Sequence, residues 1–155
     1  MANKAVFTLA AILMALFFWL SSYDRFFLLA HFLQAGFYLI VLLLLFYGLE
    51  EWAYVMAVVA PLLWIVLAAL AGIATSGFRG LGQLVSGESL VRPVDTVAGL
   101  ILLGSLALMV VSARVYKREV WGAPGALRSA IGAILVVGGY YLVLLYAYLR
   151  IATPG

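Results

Sequence analysis

A chain of 155 residues that is 68% hydrophobic and 10% charged departs far from soluble domains, which carry roughly 45–50% apolar and about 25% charged residues. Its formal charge of +3 comes from basic residues placed singly or in one short loop, a distribution that suits the anionic edge of a bilayer and excludes nucleic acid as a partner. The absence of cysteine excludes disulfides, thiolate metal sites, iron–sulfur clusters and thiol catalysis.

A surface this apolar would aggregate in water, so the solvent has to be lipid. Hydrocarbon leaves backbone groups no partner except their own helix. The expected fold is therefore all-α: a polytopic integral membrane protein, one domain over 1–155, with about five transmembrane helices in a left-handed bundle. A bilayer core of about 30 Å takes about 20 apolar residues per helix. Stretches 5–20, 26–47, 52–74, 94–115 and 128–151 meet that requirement.

The first stretch is closed by Ser21, Ser22, Tyr23, Asp24 and Arg25. It resembles a signal peptide, but Phe17, Phe18 and Trp19 stand where small residues should precede cleavage. It is read as a retained span with an inward stripe of Lys4, Thr8, Ala11 and Ala15.

The second stretch differs from the rest. With about 100° per residue, Asp24, His31 and Tyr38 fall within about 40° of one another, and Gln34 lies about 60° from His31. A polar track thus runs from one surface toward the membrane centre. Ionisable groups at depth are costly and mark a pathway or a ligand. His31 could relay protons or, with Gln34 and Tyr38, orient the head of a lipid or quinone. The competing reading is a shallow histidine bonded to a neighbouring helix. Haem is disfavoured, since six-coordinate iron between helices takes two protein ligands and the chain has one histidine; nothing selects Met14, Met56 or Met109 as the second.

Glu50 and Glu51 follow in an interfacial turn. Adjacent side chains diverge at a helix start, so they read as a solvated pair, with Glu51 favoured by the helix dipole. The third stretch carries an inward stripe of Ala53, Ala57, Ala60, Trp64 and Ala71, and Pro61 inside it should kink the helix. Residues 75–93 hold Gly77, Gly80, Gly82 and Gly87 among apolar side chains. They read as an amphipathic segment or a partly embedded loop in the interface, the glycines weighing against a regular helix.

Pro93 is placed to open the fourth span, with Asp95 in its first turn. The stripe there is Asp95, Ala98, Leu102, Ser105, Met109 and Ser112. The basic loop after it, from Arg114 to Trp121, has the aromatic and cationic mixture of a headgroup anchor. The fifth stretch carries Ser129, Gly132, Val136, Gly139, Val143 and Tyr146.

Lys4, Arg114, Lys117, Arg118 and Arg128 share one side, against Arg25, Arg79, Arg92 and Arg150. That balance points to a cytoplasmic N-terminus, and the expected location is a prokaryotic inner membrane. No metal-binding histidine pair, nucleophile elbow or phosphate loop is present, which points away from catalysis. The leading expectation is a non-enzymatic protein acting through helix–helix contacts, as a homo-oligomer or a small subunit of a membrane complex. The alternative is transport: a carrier or channel for a proton, ion or small amphiphile along the second-helix track. A weaker alternative is an enzyme or binder acting on a lipid or quinone. The partners are then the bilayer and other membrane chains, with no cofactor beyond such a lipid or quinone.

Overall fold

The computed structural model describes residues 2–23, 28–87 and 92–152. Among them every regular element is helical: α1 (Ala2–Tyr23), α2 (Leu28–Phe46), α3 (Glu50–Leu70), α4 (Ile73–Ser86), α5 (Pro93–Val115) with a π-helical turn at Tyr116–Val120, and α6 (Ala126–Ala152). Five of these, all but α4, are long and apolar enough to cross a membrane. The protein is an integral membrane helical bundle.

Helices α1, α2, α3 and α5 close a ring, each packed on the next and α5 returning to α1. Helix α6 lies outside it against α3, and α4 lies along α5. The core of α1 is Val6, Ala10, Leu13, Phe17 and Leu20. These recur at steps of four and three, which keeps one stripe facing the neighbouring helices. Phe17 is the hub: it stacks on Tyr38 at 5.7 Å and meets Trp64 edge-on at 5.5 Å, the offset and perpendicular geometries that aromatic quadrupoles favour.

This differs from the expected stripe. Lys4, Thr8 and Ala15 are exposed and Ala11 is half-buried, because the large side chains of α1 fill the ring and the small ones turn outward. In α3, Ala53, Ala57, Ala60 and Trp64 are buried as expected, but Ala68 continues the stripe and Ala71 is exposed. In α5, Ala98, Leu102, Ser105 and Ser112 are buried, with Asp95 and Met109 half-buried. In α6 the expected face is one residue out of phase. Val136, Gly139, Val143 and Tyr146 are exposed, and Ala126, Ala133, Val137 and Tyr141 are buried.

Span ends also shift, for local reasons. Helix α1 continues past Leu20 because the Ser21 and Ser22 hydroxyls donate to the carbonyls of Phe18 and Trp19 in their own helix, so the serines cost no unpaired groups. Helix α3 runs as one element through the buried Pro61. It stops at Leu70, short of the expected Ala74. Gly72 there adopts φ +74°, the left-handed conformation that closes helices and that a side chain would strain.

The largest difference is at 75–93, where the glycines were expected to weigh against a regular helix and the residues up to Ser86 belong to the helix α4. Its glycines are the reason it packs. A Cβ on Gly80 would sit 2.6 Å from the Thr96 backbone nitrogen, and one on Gly99 would sit 2.5 Å from the Gly77 carbonyl oxygen. Two backbones thus meet with no side chain between them, the approach that small residues allow in membranes. The Thr96 hydroxyl donates to the Gly80 carbonyl at 3.4 Å. Phe78, Leu84 and Val85 point outward. With 14 residues, α4 is about 21 Å long, too short to span and suited to the interface.

Candidate functional site

A cavity of about 530 Å³ opens where the C-terminal ends of α1, α3 and α6 meet the N-terminal ends of α2, α4 and α5. The five spanning helices alternate in direction along the chain and α4 is too short to cross, so all of these ends lie at one face of the bundle. Most of the wall is aliphatic. Its polar members are His31 and Gln34 from α2, Ser76 from α4, Asp95 from α5 and Tyr141 from α6, with Trp64 of α3 completing the aromatic part. A mostly apolar concavity with a few convergent polar groups is the usual form of a small-molecule site.

Each polar side chain owes its place to the helix that carries it. His31 and Gln34 are three residues apart on α2 and so share a face; His31 is half-buried, 6.4 Å from the Phe17 ring, and Gln34 is buried. Asp95 is the third residue of α5, which Pro93 opens. Tyr141 reaches in from the outer helix. Its hydroxyl accepts from the Gln34 amide nitrogen at 2.8 Å and donates to the Ala60 carbonyl at 2.8 Å. One hydroxyl therefore joins α2, α3 and α6. The carbonyl it meets directly precedes Pro61 and is distinct from that of Ala57, the acceptor that a proline at 61 leaves without its helical donor.

Below this floor the polar groups continue. Tyr38 is buried with its hydroxyl facing Ser105. Neither oxygen, nor those of Ser112 and Tyr140, has a hydrogen-bond partner in acceptable geometry among the described residues.

Of the track read from the sequence, His31 and Gln34 line the cavity, Tyr38 lies beneath it, and Asp24 falls outside the described residues. Asp95, expected only as an interfacial acid, joins them. Glu50 and Glu51 stand at the opposite face, where Tyr54 donates to Glu50 at 3.2 Å and Ser129 to Glu51 at 2.8 Å. The pair diverges as adjacent positions on a helix must. Tyr141 and Trp64 had no functional reading in the sequence; a correctly phased stripe on α6 would have brought the buried Tyr141 to notice. None of Met14, Met56 and Met109 lines the cavity with His31. Among the described residues no three of His, Cys, Asp and Glu gather as a metal site.

Compared with protein-family models, with curated proteins and with solved structures, the chain matches none.

Proposed function

We propose that this membrane protein binds a small amphiphile in the cavity, its polar head toward His31, Gln34, Asp95 and Tyr141 and its apolar part along α3 and α6. The observation that carries this reading is the grouping of those polar side chains, from α2, α5 and α6, in an otherwise aliphatic hollow. Apolar helices gain nothing by gathering costly polar groups at one place, and a ligand offsets that cost. Exposed Leu70, Ile73 and Leu145 at the rim give a lipid-like molecule a continuous apolar approach. The test is gentle extraction followed by mass analysis of what accompanies the protein. One amphiphile at near-stoichiometric yield from the wild type, depleted at least fivefold in Gln34→Leu, supports the reading. Equal and non-selective lipid in both would defeat it.

A second reading, passage of protons through the bundle, draws on the buried hydroxyls of Tyr38, Ser105 and Ser112 beyond the cavity floor, which have no hydrogen-bond partner in acceptable geometry among the described residues. Proton flux in proteoliposomes no greater than in empty ones would remove it. Action through contacts with other membrane chains keeps the outward apolar face of α6 as its surface; lipid covers such a face equally well, and the size of the solubilised particle is its test.

A further inference from the structure

The charge of the site narrows the ligand. Among the described residues lining the cavity there is no Lys or Arg; Asp95 supplies a carboxylate and His31 an imidazole. That carboxylate is half-buried and makes no ion pair or side-chain hydrogen bond among the described residues. Arg92, the residue before α5, is exposed and is not part of the lining.

The positive end of α5 favours an acid in its first turn, and a counter-cation in the cavity would add to that favour where the wall is aliphatic and of low dielectric. An anionic head would meet the opposite situation, facing Asp95 with no Lys or Arg among the described wall residues. Trp64 adds an indole to the lining, and indole is the aromatic side chain that attracts cations most strongly. A mostly aliphatic hollow with one acid and one indole among its few polar groups suits a charge spread over an apolar body.

On the reading that this cavity is a binding site, we infer that its ligand is a hydrophobic cation, held by the Asp95 carboxylate beside Trp64. Tetraphenylphosphonium and tetraphenylborate are matched probes, since they share a shape and differ in sign. Equilibrium dialysis of the detergent-solubilised full chain should give saturable binding of the phosphonium and at least tenfold weaker binding of the borate. Asp95→Asn should weaken phosphonium binding at least tenfold and Asp95→Glu should largely preserve it. A thermal melt of each variant separates loss of the site from loss of the fold: D95N that melts like wild type and binds like wild type overturns the inference. Equal binding of the two ions overturns it too, while leaving the cavity a binding site of different preference. If neither ion binds but one amphiphile still co-extracts in a Gln34-dependent way, the cation assignment fails and the binding proposal stands. Absence of both sinks the two together.

Discussion

Removing a single oxygen from Tyr141 tests how α6 is held. The Gln34 amide would lose its acceptor and the Ala60 carbonyl one donor. Hydrogen bonds between membrane helices are worth about 1 kcal/mol, so Tyr141→Phe should lower unfolding free energy by about that amount in a denaturant titration in detergent. Ser105→Ala should behave oppositely. It deletes a buried hydroxyl that faces Tyr38 but has no hydrogen-bond partner in acceptable geometry among the described residues, and relieving an unpaired polar group is neutral to stabilising, by up to about 1 kcal/mol. A loss above that size would mean that Ser105 has a native partner such as water. At this scale the sequence was legible where the polar residues sat on one face of one helix: Gln34 and His31 follow from a 100° step. Tyr141 was not, because its partner is 107 positions away and a one-residue error in phase turned it outward.

Among the elements, the glycines divide by what they touch. Gly80 meets backbone of α5, and backbone cannot move aside; Gly132 meets the far rim of the Trp52 indole at 2.6 Å, which can tilt; Gly139 meets nothing within 4 Å. Alanine at 80 should therefore cost about 1–3 kcal/mol, as overpacking does, at 132 clearly less, and at 139 should be neutral or stabilising by up to about 1 kcal/mol through helix propensity. Thermal melts of the three variants give the order. If Gly80→Ala melts like Gly139→Ala, the α4–α5 backbone contact is not present in the folded protein. The same contact explains why 75–93 was misread. Glycine lowers helix propensity by about 1 kcal/mol relative to alanine, which a single strand of sequence displays; the compensation comes from Thr96 and Gly99 on another helix, which it does not.

For the molecule as a whole, five spans place the Glu50–Glu51 turn and the α4–α5 side at opposite faces of the membrane. The cysteine-free chain makes this direct to check. With an impermeant maleimide, a cysteine at exposed Tyr47 and one at exposed Val85 should differ, one reacting in intact cells and the other only after permeabilisation; equal reaction of both in intact cells would refute the five-span arrangement. The number of spans could be read from the sequence because hydrocarbon dictates helix length and composition. Their arrangement could not. Small residues occur on several faces of every span, and nothing in one helix says which face its neighbours will choose; α1 chose its bulky side, with Phe17 inserted between Tyr38 and Trp64.

That all the lining helix ends lie at a single face gives the protein a direction. On the proposed reading, what occupies the hollow is loaded from one leaflet and its adjoining compartment, while the opposite face carries Lys4, Glu50, Glu51 and the basic residues after α5 among its described charges. A membrane patch with chains inserted both ways round would answer an added solute at half strength, and the sign of insertion becomes a variable to be measured before any affinity is compared.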